Sequence, residues 1–149
     1  VLWTTRDDLA LPTIADAVRN RSTKRIAIAN PDTAPYGRAA LQVLEKLGVR
    51  AEAEPKIVIG ENITQTAQFV ATGNAEIGFV ALSLLLSPKL KERGRWLEVP
   101  ANLHSPLEQG AVLTRRGAEN PAAKTYLTFL RSATAREILE RHGYRAPMR

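Results

Sequence analysis

Short continuous apolar runs alternate along this chain with stretches in which apolar residues return every three or four positions. The two periods predict strands and helices in turn. Residues 25–29, carrying Ile26-Ala27-Ile28-Ala29, have no polar face, which predicts a central strand covered on both sides. Residues 56–59 and 77–82 repeat that character, and residues 1–4 lean toward a strand. Ala39, Ala40, Val43, Leu44 and Leu47 share one face of a long helix that begins near Arg38 and closes at Gly48. Residues 63–72 form a second helix with Asn62 placed as N-cap and Gly73-Asn74 as its stop. Weaker patterns predict a short helix from about 12 to 18, a connection over 48–55, a helix over 83–90 and an edge strand over 96–100. An extended segment follows at 107–114, then two closing helices over 121–130 and 133–142.

Strands alternating with helices imply a mostly parallel sheet, and in such sheets ligands sit beyond the carboxyl ends of the strands. Two loops stand at that edge. One is Asn30-Pro31-Asp32-Thr33-Ala34-Pro35-Tyr36-Gly37, and the other is Gly60-Glu61-Asn62. Each aims the unpaired N–H groups of a helix start at the edge, where an anion is favoured. The hydroxyls of Thr33 and Tyr36 lie near the first helix start, and Asn62, Thr64 and Thr66 near the second. Neutral donors hold an oxyanion by hydrogen bonds alone where water is excluded. On the motif alone, Tyr36 reads equally as a packed aromatic and Asn62 equally as a helix cap.

The composition narrows the choice of chemistry. At 149 residues the chain suits one domain or two small α/β lobes, and an apolar fraction of 44% argues against disorder. The net charge of +6 is dispersed and only 5% of residues are aromatic, so no nucleic-acid partner is expected. The lack of cysteine excludes disulfides, thiolate metal sites and a cysteine nucleophile. No apolar run reaches the ~18 residues of a membrane span, and Val1-Leu2-Trp3 does not open like a signal peptide. His104 and His142 have no metal-type spacing, and neither a Gly-x-Ser-x-Gly elbow nor a Gly-rich phosphate loop occurs. Asp7 with Asp8, and Glu52 with Glu54, read as solvated surface, and Leu84-Leu85-Leu86 as a core-facing helix. The chain is therefore expected not to be an enzyme and to carry no catalytic residue and no cofactor.

Several motifs together resemble the periplasmic molybdate-binding proteins of bacterial molybdate ABC importers. They are Ile26-Ala27-Ile28-Ala29-Asn30-Pro31, Ala34-Pro35-Tyr36-Gly37, Leu44-x-x-Leu47-Gly48, and the run from Gly73 through Asn74-Ala75-Glu76-Ile77-Gly78-Phe79-Val80-Ala81 to Leu82. The closing pattern Phe129-Leu130-x-Ser132-x-x-Ala135-x-x-Ile138-Leu139-x-x-His142-Gly143-Tyr144 agrees with them. The resemblance implies an α/β chain of the type II periplasmic-binding-protein fold, confined to the C-terminal two-thirds of such a protein. Lobe two would be complete and lobe one only partly present. Residues 1–5 would be a first interlobe crossing, 6–106 lobe two, 107–114 the return crossing, and 115–149 helices belonging to lobe one.

By the same resemblance the ligand is a tetrahedral oxyanion, molybdate or tungstate, held without a metal cation and delivered to a membrane ABC permease from the periplasm. Tyr36 matches the family's tyrosine donor, Ile63 its aliphatic residue with a donating backbone N–H, and Asn62 is the cap beside it. Ala81 stands where some members have a ligand-binding tyrosine, so no contact is expected there. The family's N-terminal segment has no counterpart, which leads to the expectation of a fragment with half the site, binding anion weakly and prone to self-association. The ligand-sensing module of a transcription regulator is the alternative that shares this fold.

Overall fold

A computed structural model describes residues 1–145. The chain divides into two compact units, Val1–Leu107 and Glu108–Arg149. The last four positions of the second, 146–149, lie outside the described residues, as does that end of the expected 115–149 segment.

Unit 1 is built on a five-stranded sheet of order β3-β2-β4-β1-β5. Its strands are β1 (Leu2–Thr4), β2 (Ile26–Ala29), β3 (Ile57–Gly60), β4 (Ile77–Phe79) and β5 (Arg95–Leu97). Parallel pairing joins β2 to both β3 and β4, and β1 runs antiparallel between β4 and β5. Period-two alternation divides the strand residues between two cores. Leu2, Ile26, Ile28, Ile77 and Phe79 face one side, where α1 (Ile14–Arg19) and α2 (Pro35–Lys46) bring Val18, Val43 and Leu44. Trp3 and Ala27 face the other, against Ala67 and Val70 of α4 (Ile63–Ala71) and Leu85 of α5 (Leu82–Leu85). Ala27 and Gly78 are register partners, and this small-residue floor admits α4. A Cβ on Gly78 would lie 2.6 Å from Val70 Cγ2.

Local boundaries differ from expectation where backbone chemistry outweighs periodicity. Helix α2 begins at Pro35 rather than near Arg38, because proline at N1 fixes φ and lacks the N–H that would go unpaired there. Tyr36 therefore sits inside the first helical turn. Helix α1 starts at Ile14, capped by the Thr13 hydroxyl that accepts from the Asp16 N–H at 3.0 Å, and Pro12 stays outside it. The expected connection at 48–55 contains a one-turn helix, α3 (Arg50–Ala53), running into a 3₁₀ turn, Glu54–Lys56, where Ala53 is buried. Strand β4 stops at Phe79, short of the expected residue 82, and α5 is a single turn rather than a helix over 83–90.

Unit 2 holds a 3₁₀ turn, Gly117–Glu119, and helices α6 (Pro121–Phe129) and α7 (Ala133–Arg141). Both helices are capped locally. The Asn120 side chain accepts from the Ala122 N–H at 2.9 Å, and the Ser132 hydroxyl from the Ala135 N–H at 3.2 Å. Ala135 is buried, and the Tyr126 and Phe129 rings lie 6.5 Å apart. The expected fold, a complete lobe two with lobe one only partly present, is corrected here. The described chain carries regular structure through both units.

Candidate functional site

The site starts from the register of two parallel strands. Ala29 is paired with Gly60, so β2 and β3 end side by side. One step beyond the ladder, the Asn30 N–H donates to the Gly60 carbonyl at 2.8 Å, tying the two following loops together. The first loop then coils on its own polar groups. The Asn30 side-chain oxygen accepts from the Asp32 N–H at 2.9 Å, and its carbonyl accepts from the Ala34 N–H at 2.8 Å. Arg38 reaches back to donate to the Pro31 carbonyl at 3.1 Å, which engages this nearby cation with the loop itself.

Glycine decides how close the helices come. A Cβ on Gly37 would stand 2.0 Å from the Ala29 carbonyl oxygen, and one on Gly60 would stand 2.7 Å from the Thr66 hydroxyl oxygen. Each βα unit thus sets the first turn of its helix directly against the end of its strand. Both glycines were visible in the sequence only as loop residues. The signal that could have singled them out is their place, one at the end of a strand and one in the first turn of a helix, where two backbones converge.

The two helix starts differ in what they leave open. In α4, Asn62 uses its side-chain oxygen on both the Thr64 and the Gln65 N–H, at 3.0 Å each, and its carbonyl accepts from the Thr66 N–H and hydroxyl at 3.0 and 2.9 Å. The first-turn amide that this cap leaves over is that of Ile63. Asn62 is exposed and Ile63 half-buried. In α2 the N-cap, Ala34, has no side-chain cap bond, and half-buried Tyr36 occupies the second helical position. The structure therefore sets Tyr36, Asn62 and Ile63 at neighbouring helix starts on one edge of the sheet. The third loop at this edge contributes buried Ala81, which has no donor side chain.

Two perturbed carboxyls, Asp8 and Glu52, lie elsewhere in unit 1. The hydrogen bond from Arg6 holds the Asp8 carboxyl below its usual range, and a backbone hydrogen bond followed by Arg19 does the same for Glu52. His104 turns its ring Nδ1 to the neighbouring Ser105 carbonyl at 2.8 Å, so that nitrogen carries the proton. Among the described residues no cluster of three or more His, Cys, Asp or Glu could hold a metal ion, and no helix is long and apolar enough to cross a membrane.

Comparison with known proteins extends this geometry. Residues 1–145 match the family model of bacterial extracellular solute-binding proteins. The chain is 46% identical over 144 residues to the molybdate-binding protein ModA of Rhodobacter capsulatus, covering 97% of this chain and 55% of that protein. It is 44% identical over 127 residues to the molybdate-binding protein ModA of Azotobacter vinelandii, covering 85% of this chain and 50% of that one. The solved periplasmic molybdate-binding protein of A. vinelandii superposes with a TM-score of 0.87 at 32% identity, over 99% of this chain and 64% of that chain. This chain spans about half the length of the curated relatives it matches.

These matches correct the expected recognition, a likeness confined to part of a protein with half the site, to one that runs the length of this chain. The likeness runs over 97% of the chain in sequence and 99% in structure. The self-association expected of a truncated chain rested on the same premise and finds no support in the matches.

Proposed function

The chain belongs to the bacterial extracellular solute-binding proteins, and from that premise we propose that it binds the tetrahedral oxyanion molybdate or tungstate and delivers it to an ABC permease from the periplasm. The work is capture and release, without a catalytic step or cofactor. One observation carries the proposal: two adjacent parallel βα units, tied by the Asn30 N–H to the Gly60 carbonyl, aim two helix starts at one sheet edge. That arrangement supports anion binding by partial positive charge and N–H groups rather than by a salt bridge. The likeness to molybdate-binding relatives supports the choice of oxyanion.

Within this proposal Tyr36 donates its hydroxyl and Ile63 its backbone N–H. Asn62 holds the α4 start in place through its two side-chain bonds to Thr64 and Gln65. Residues 1–5 and 107–114 serve as crossings beside lobe two at 6–106, and the described residues 115–145 belong to lobe one. Molybdate, tungstate and sulfate share charge and shape, so selection among them falls to cavity size and donor placement.

Titration calorimetry with the three anions tests the proposal. Molybdate and tungstate bind and sulfate binds far more weakly; equal or absent binding of all three refutes it. Tyr36→Phe removes one hydrogen bond to a charged group, worth about 1.5–3 kcal/mol. It weakens molybdate by roughly 10- to 100-fold. A variant that binds like the parent removes Tyr36 from the donor set.

A further inference from the structure

Helix α2 does more than present Tyr36 at its start. On its flank Gln42 grips Ser105 with both ends of its amide: the side-chain oxygen accepts from the Ser105 N–H at 2.8 Å, and the side-chain nitrogen donates to the Ser105 hydroxyl at 3.3 Å. One helical turn further on, the Lys46 ammonium donates to the Asn102 carbonyl at 2.7 Å. Residues four apart lie on one helix face, so these bonds strap 102–105 along α2. Beyond the strap, Ser105, Pro106 and Leu107 form one wall of a cleft of about 200 Å³, and Pro35 and Arg38 in the first turn of α2 stand on the other. Leu107 is the last residue of unit 1.

Resting on the oxyanion-binding function above, we propose that Gln42 is a positioning residue: its clamp on Ser105 fixes the chain leaving unit 1 relative to the donor-bearing start of α2, and thereby governs how long the anion is retained. Gln42 stands six residues beyond Tyr36, about 9 Å along a rigid helix at 1.5 Å per residue. A shift of the Tyr36 turn on anion binding is therefore passed to Ser105 and the exit segment, and a loose exit segment leaves the turn unbraced. Ser105 is exposed and Gln42 half-buried, so the clamp adds little to global stability. Its loss registers locally.

Gln42→Leu removes both bonds, whereas Gln42→Glu keeps the one from the Ser105 N–H and reverses the other, its carboxylate accepting from the Ser105 hydroxyl. Three measurements are made on the parent and both variants: molybdate dissociation by stopped flow, molybdate affinity by calorimetry, and amide hydrogen exchange over 103–108 without anion. Gln42→Leu is expected to speed dissociation and exchange on the order of tenfold, as for loss of one to two hydrogen bonds. Its urea midpoint stays at the parent value and Gln42→Glu restores both rates. Parental exchange over 103–108 in Gln42→Leu overturns the proposal, as does a Gln42→Glu variant that behaves like Gln42→Leu. Should the parent bind neither molybdate nor tungstate while exchange still responds to Gln42→Leu, the failure lies with the oxyanion function, and the part of Gln42 in anion retention falls with it.

Discussion

Replacing Gly37 by alanine sets two effects of opposite sign against each other at the start of α2. Alanine is the better helix former by about 1 kcal/mol, which in an open helix would stabilise the fold. Here the new methyl meets the Ala29 carbonyl oxygen at 2.0 Å, the Ala29 carbonyl carbon at 2.8 Å and the Pro31 nitrogen at 2.8 Å. All three are backbone atoms, so no side-chain rotation relieves the contact. A carbon and a carbonyl oxygen rest about 3.3 Å apart at closest ordinary approach. Reaching that distance from 2.0 Å requires the first turn of α2, or the end of β2, to move by roughly 1.3 Å. Overpacking of this kind costs about 1–3 kcal/mol, which outweighs the propensity gain. The same displacement carries Tyr36, the adjacent residue, away from its place at the proposed anion edge. Binding geometries tolerate roughly 0.5 Å, so molybdate affinity falls by at least tenfold. Urea unfolding and calorimetry on Gly37→Ala measure both consequences. Parental stability together with parental affinity would refute the claim that the helix start is pressed against the strand end.

Asn62→Ala removes the cap that engages two α4 amides and should cost ~1 kcal/mol in urea unfolding; Asn62→Asp should retain most of it, and equal losses in the two variants would deny the cap. Arg95→Met keeps the aliphatic stem but deletes donations from one guanidinium nitrogen to the carbonyls of Arg6, Asp7 and Leu9 at 3.3, 2.7 and 2.7 Å. A loss of about 1–2 kcal/mol is expected, with faster amide exchange over 6–9, and unchanged exchange there would contradict it. The carboxyls of Asp8 and Glu52 are depressed below their ordinary values of 3.8 and 4.5. Each therefore adds stability that is fully present above its ordinary value and is lost as pH falls through the lower folded one. Stability is expected to be insensitive to both between pH 7 and about 5 and to decline on further acidification. The double variant Asp8→Asn, Glu52→Gln flattens that acid limb slightly, and a limb identical to the parent's would count against the two pairings.

The periods of two and of three to four residues, the helix cap at Asn62 and the βα order were legible in the sequence because each depends on neighbours within one turn or one strand. The same local logic set Tyr36 and Asn62 at two helix starts proposed to face an anion, and the family resemblance added Ile63 and the expected roles of all three. Tertiary structure decided the rest. Pairing of Ala29 with Gly60 put the two loops side by side. The close backbone contacts at Gly37 and Gly60 fixed how far each helix could advance, and burial of Ala53 drew a one-turn helix from what read as a connection. The grip of Gln42 on Ser105 joins residues 63 apart in sequence. Local chemistry chooses the element, but only folding brings distant backbones into contact, and those contacts set the spacing on which the proposed anion site depends.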